Sequence, residues 1–130
     1  SRGLGDVYKR QVLAFRMKGR HIKFVVPMPE KGERRFRWAK VNSSQKEVPR
    51  SEEAAHRAWD QACRERWRAL ALVIKAKLEA VDAGIAVFED EFLANTVMPD
   101  GRTVSEHTKP AIERAYASGK MQPLLPGPGA

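Results

Sequence analysis

The chain has 130 residues, 42% hydrophobic and 31% charged, with three Trp and five Phe; this composition suits one ordinary globular domain and excludes a wholly disordered chain. A single cysteine, Cys63, excludes an internal disulfide framework and points to a reducing compartment, and the longest apolar run, Ala69–Ile74, is far too short to span a membrane. The net charge of +8 is uneven, with eleven basic and three acidic residues in 12–50 against ten and twelve in 51–130, an asymmetry that points either to a polyanionic partner or to a solubilising basic surface.

Ser1–Gln11, SRGLGDVYKRQ, resembles the translation of a transposase-type sequencing adapter at all eleven positions. The resemblance implies an origin in assembled metagenomic DNA, a true start that lies elsewhere, and a fold that begins near Val12. Residues 12–122 then read as one small domain and 123–130, rich in Pro and Gly, as a flexible tail.

Residues 12–29 read as a β-hairpin. Leu13, Phe15 and Met17 alternate with small or charged residues, as do Ile22, Phe24 and Val26, and Lys18-Gly19 lies at the tip. A two-residue loop, or a four-residue one of the same parity, sets Phe15 opposite Ile22 and Leu13 opposite Phe24 on one face, whereas a three-residue loop breaks that agreement. Residues 30–50 form a basic segment with little periodicity, read as a loop with at most one edge strand around Phe36, Trp38 and Val41.

Residues 51–95 read as a long helix. Ser51 is a favoured N-cap, and Glu52 and Glu53 suit the positive end of the helix dipole. Apolar residues recur at steps of three and four through Trp59, Cys63, Trp67, Leu70, Ile74, Leu78, Val81, Ile85, Phe88 and Phe92. Gly84 is the natural break or close-packing point within it. The hairpin residues Leu13, Phe15, Ile22 and Phe24 are expected to cover part of the Trp59–Leu78 face. Met98-Pro-Asp-Gly101 predicts a turn, and Thr103-Val-Ser-Glu106 a capping box that opens a second helix over 103–118. Pro110 should kink or delay that helix, and Gly119 should stop it. The expected fold class is α+β: an N-terminal β-hairpin packed on a long helix plus a shorter C-terminal helix.

Two constellations are candidates for function. Arg34, Arg35 and Arg37 surround Trp38, while Arg57, Arg64, Arg68 and Lys75 form a narrow helical stripe. Together they suit nucleic acid, with cations on phosphates and Trp38 or Phe36 on a base; their other reading is a solvated face paired with Asp60, Glu65, Glu79 and Asp82. The second candidate is a protein interface through Trp59, Trp67, Leu70 and Ile74. Arg66 and Lys77 fall inside the apolar arc, either laying their stems on it or marking the edge of a helix–helix interface. No catalytic, cofactor or metal site is assigned, since no Gly-rich phosphate loop, nucleophile elbow or metal-ligand spacing is present.

From Trp59 to about residue 127 the chain resembles a group of uncharacterised small proteins of tailed bacteriophages and prophages. The resemblance rests on WDQACRERWRALALVIKAKLEAVDAGIAVFEDEFLANTVMPDGRTVSEH and GKMQPLLPG, and extends faintly to Val26–Pro29. Ser105 and His107 depart from a Gly and a Trp that follow the Thr-Val pair in those proteins, which puts the start of the second helix in question. The resemblance implies a mobile-element protein working in the cytoplasm of a bacterial host, and transfers no catalytic residue. The expected function is a non-catalytic accessory role through protein–protein contact along the long helix, with a partner or by self-association. The alternative is a nucleic-acid-binding accessory protein using the basic N-terminal half. No membrane partner is expected.

Overall fold

The computed structural model describes residues 10–41 and 46–125. Its elements are strands β1 (Arg10–Met17) and β2 (Arg20–Pro27), a helical turn α1 (Arg34–Arg37), and strands β3 (Trp38–Lys40) and β4 (Glu47–Pro49). There follow helix α2 (Glu52–Asp82), a short helix α3 (Phe88–Glu91), a 3-10 turn (Leu93–Asn95) and helix α4 (Val104–Ser118). The fold class is α+β, as expected. Most of the adapter-like segment, residues 1–9, and the end of the tail, residues 126–130, lie outside the described residues. Arg10 and Gln11 are nonetheless in β1, so the strand begins two residues before the expected start of the fold.

β1 and β2 pair as a two-stranded sheet, joined by the two-residue loop Lys18-Gly19 with both residues at positive φ, 52° and 75°. That twist matches a right-handed hairpin, and the loop length fixes the register that buries Ile22 and Phe24. The segment read as a loop is more ordered than its pattern suggests. α1 runs directly into β3, which pairs antiparallel with β4 in the register Trp38↔Pro49, Ala39↔Val48 and Lys40↔Glu47.

The described residues divide into two compact units, one from the segments 10–11 and 25–74, the other from 12–24 and 75–125. In the first, α2 opens on Ser51, whose Oγ accepts the Ala54 N–H at 3.1 Å. The helix then holds the segment that leaves β2 by two donors. Trp59 Nε1–H reaches the Pro29 carbonyl at 2.7 Å, and Arg66 Nη1 reaches the Pro27 carbonyl at 2.8 Å. Val26, Met28, Phe36 and Ala55 supply the buried apolar residues.

In the second unit the helix stops at Asp82 and does not run on to 95. Gly84, at φ 76°, sits in a Schellman stop: its N–H bonds the Val81 carbonyl at 3.1 Å and the Ile85 N–H bonds the Ala80 carbonyl at 2.9 Å. The apolar spacing continues through Ile85, Phe88 and Phe92, but these no longer share a face. Ile85 is 82% exposed, whereas Phe92 is 0% exposed. Phe15 and Phe24 meet Phe92 edge-on at 6.2 and 6.3 Å, and Phe88 lies at 4.9 Å. Lys77 Nζ donates to the Glu91 carbonyl at 3.0 Å. Ile22 bridges Thr96, and Asn95 Nδ2 donates to the Lys23 carbonyl at 3.1 Å.

α4 begins as expected. Thr103 Oγ1 accepts from Glu106 N, and Glu106 Oε1 accepts from Thr103 N at 2.8 Å. The latter bond is the leading reason the Glu106 carboxyl titrates below its ordinary range. The departures at Ser105 and His107 leave this start intact: His107 Nε2 lies 2.7 Å from Asp100 Oδ2 in the preceding turn. The helix runs through Pro110 without ending. The carbonyl that Pro110 leaves without a helical donor, that of Glu106, accepts Arg102 Nη2 at 3.3 Å. Gly119, at φ 72°, closes the helix.

Phe92→Ala should lower stability by about 3–5 kcal/mol in urea denaturation, whereas Ile85→Ala should stay within about 0.5 kcal/mol. Equal losses would mean that the two residues share one buried helical face after all.

Candidate functional site

The two constellations fall in different settings. Around α1, Arg34 is bound by Glu47, with Nε at 3.0 Å and Nη2 at 2.7 Å from the same carboxylate oxygen, Oε1. β3–β4 pairing carries Glu47 to that place, since it sits opposite Lys40 at the end of the sheet. The same guanidinium lies over the Trp38 ring at 4.6 Å, so one side chain covers the indole and satisfies the acid. Arg35 donates to Glu33 at 2.8 Å and lies over Phe36 at 4.5 Å. Arg37 reaches both oxygens of Glu52 in the first turn of α2, at 3.2 and 2.6 Å.

The cluster therefore carries its own counter-charges. All three guanidiniums are paired with carboxylates, Trp38 is half-buried beneath Arg34, and Phe36 is buried. Phe36 cannot offer its ring to a base, contrary to the stacking role considered for it. The charge pattern did not show this, because the three acids lie two to fifteen residues from their partners and only β4 and the start of α2 bring two of them close.

Along α2, Arg64 pairs with Asp60 at 2.8 Å, one turn earlier. Arg57, Arg68 and, in the second unit, Lys75 are exposed and have no ion pair among the described residues. Arg66 and Lys77, which fall within the apolar arc, donate to backbone carbonyls.

The expected interface residues Trp59, Trp67, Leu70 and Ile74 are each half-buried. Trp59 is also engaged: besides its bond to Pro29, His56 lies at 5.6 Å and the Lys31 ammonium at 5.6 Å from its ring. The apolar surface that α2 leaves open is a neighbouring one, where Leu72 is 61% and Val73 47% exposed beside exposed Ala69. Its signal was the unbroken run Ala69–Ile74, for six consecutive apolar residues cannot all lie on one side of a helix.

No reactive centre accompanies these surfaces. Cys63 is half-buried, and burial, with the Asp60 carboxylate beside it, pushes its thiol up, away from the thiolate a nucleophile needs. Among the described residues no three His, Cys, Asp or Glu side chains gather to hold a metal ion, and no helix is long and apolar enough to cross a membrane. An open groove of about 480 Å³ beside α4 is lined by Ile112, Tyr116, Met121 and Leu124, with Lys120 at its edge. Comparison with protein-family models, curated proteins and solved structures finds no match to the chain.

The paired carboxylates set a pH dependence. The Arg37 hydrogen bond holds Glu52 below its ordinary range, and the Glu30 backbone N–H holds Glu33 low. A depressed carboxylate contributes fully above its unfolded value and loses that contribution as the pH falls through the folded one. The melting temperature should therefore hold from pH 7 to about 5 and drop below about pH 4, and Glu52→Gln should blunt the drop. A fall already complete between pH 7 and 5 would assign the acid sensitivity to other groups.

Proposed function

We propose that the chain is a non-catalytic accessory protein that acts by protein–protein contact through α2. The observation that carries this reading is the exposure of the helix. Over 31 residues, only Ala55 is buried, while Leu72 and Val73 face outward. An aliphatic side chain gains about 1.5–3 kcal/mol when it passes from water to an apolar surface, so an open strip of this kind is the part of α2 that a partner can use. The likeness of residues 59–127 to phage and prophage proteins, together with the lone unpaired cysteine, supports a setting in the cytoplasm of a bacterial host.

A nucleic-acid role is the second reading, and one observation keeps it: Arg57, Arg68 and Lys75 are exposed without carboxylate partners among the described residues. Against it, Arg34, Arg35 and Arg37, which were to lead the contact, are neutralised by Glu47, Glu33 and Glu52. Each of these charges must first be taken from a carboxylate, which lowers its net gain from a phosphate by up to about 1 kcal/mol.

A photo-crosslinking amino acid at Leu72, in bacterial cells expressing the chain, should give a discrete protein adduct that is absent from the same probe at exposed Tyr116. Light scattering at rising concentration tells whether the adduct is a second copy. No adduct at position 72, together with a constant monomer mass, would overturn the reading. Fluorescence anisotropy of labelled oligonucleotides should show at most weak binding, lost by near-physiological salt; binding that survives such salt would favour the second reading.

A further inference from the structure

We infer that the open strip of α2 in the first unit receives an acidic amphipathic helix of a partner protein. The inference rests on the protein-contact reading above and adds the chemistry of the partner.

At ~100° per residue, Ala58, Ala62, Ala69, Leu72 and Val73 fall within an arc of about 100°, half-buried at Ala58 and Ala62 and exposed at Ala69, Leu72 and Val73. Along one edge of that arc run Arg57, Arg64 and Arg68. Arg57 and Arg68 are exposed and unpaired among the described residues, and Arg64 has only Asp60. A surface with this edge is complementary to one that carries both apolar side chains and carboxylates. The strip itself is built of small residues around one leucine and one valine. Small side chains let two helix axes come within about 8 Å, so a second helix lying along the strip can bury Leu72 and Val73 against its own side chains. The arginines follow one another by seven and four residues, about 10 and 6 Å along the axis, a spacing that carboxylates on successive turns of a helix can meet.

The other occupants fit less well. A phosphate backbone would pair with the arginines but leave Leu72 and Val73 in water. An anionic lipid surface would meet Glu65, exposed within the arc, with like charge, and alanines give it little to insert. A second copy laid antiparallel on the same strip would set arginine edge against arginine edge, and a parallel one would face the arginines with the edge that carries Trp59, Arg66 and Leu70, which holds no carboxylate over that length. A partner helix answers Glu65 with a single amide or basic side chain.

The test uses the full chain and a fluorescent 21-residue model helix with leucine and alanine on one face and glutamate beside it. Its controls are the same peptide with glutamine or lysine for glutamate, a DNA duplex, and vesicles of phosphatidylglycerol and phosphatidylcholine. The acidic peptide should bind more tightly than the glutamine version. Leu72→Glu should weaken it about tenfold or more. Reversing the three arginines to glutamate should abolish its advantage and confer binding on the lysine peptide. Leu72 and the arginines lie on the surface, and circular dichroism checks that α2 persists in each variant. The inference falls if the acidic peptide binds no better than the glutamine one, if Leu72→Glu leaves its affinity unchanged, or if the duplex or the vesicles bind through these residues more tightly than the peptide. An adduct at position 72 whose contacting segment is not acidic would also overturn it while leaving the protein-contact reading standing.

Discussion

The left-handed stop at Gly84 is the constraint from which the second unit follows. A residue with a Cβ pays for positive φ, and glycine does not, so the backbone can close the Schellman pair on Val81 and Ala80 and leave the helical path. What comes next is a turn of helix with its own orientation, free to bring Phe92, with Phe88 against it, to the rings of Phe15 and Phe24. Had α2 continued, Phe92 would have stood a little over two turns further along a rod, roughly 12 Å from Gly84. The aromatic cluster, the Lys77–Glu91 tie and the Thr96 bridge to Ile22 all lie downstream of that stop.

A second regularity concerns the donors that α2 carries within its apolar arc. Trp59, Arg66 and Lys77 each give a hydrogen bond to a backbone carbonyl, those of Pro29, Pro27 and Glu91. The helix is thus tied to the last residues of β2 and α3 and to the chain just beyond β2, where backbone carbonyls run out of regular partners. Such neighbours cover a helix unevenly. The indole and the guanidinium stem occupy the arc while their polar ends reach the carbonyls, which is why the stripe from Trp59 to Ile74 is half-buried rather than sealed.

What was legible in the residues was local. Lys18-Gly19 between two alternating runs fixed the hairpin loop, Ser51 the start of α2, and Thr103 with Glu106 the start of α4, because each depends on atoms within a few residues. The end of α2 was not legible. Gly84 reads equally as a close-packing point and as a left-handed stop, and the three-and-four spacing happened to run on past it. The basic segment was misjudged for a related reason. Three-residue strands are too short to show alternation, so β3 and β4, and with them the approach of Glu47 to Arg34, depend on pairing that no window of sequence contains. The residues read as a protein face, Trp59, Trp67, Leu70 and Ile74, are half-buried, and the exposure of Leu72 was not legible because it stands off the main stripe.

The bond from Arg102 to the Glu106 carbonyl gives α4 a dependency that reaches across its first turns. Pro110 removes the amide that would have served that carbonyl, and the replacement donor comes from the turn before the helix, where Arg102 is itself set by its N–H on Asp100 Oδ1 at 3.0 Å. With Pro110 present, losing the arginine leaves a carbonyl to water; with an ordinary residue at 110, the arginine has nothing to supply. Positions 102 and 110 are therefore not independent, and the effect of changing both should differ from the sum of the single changes.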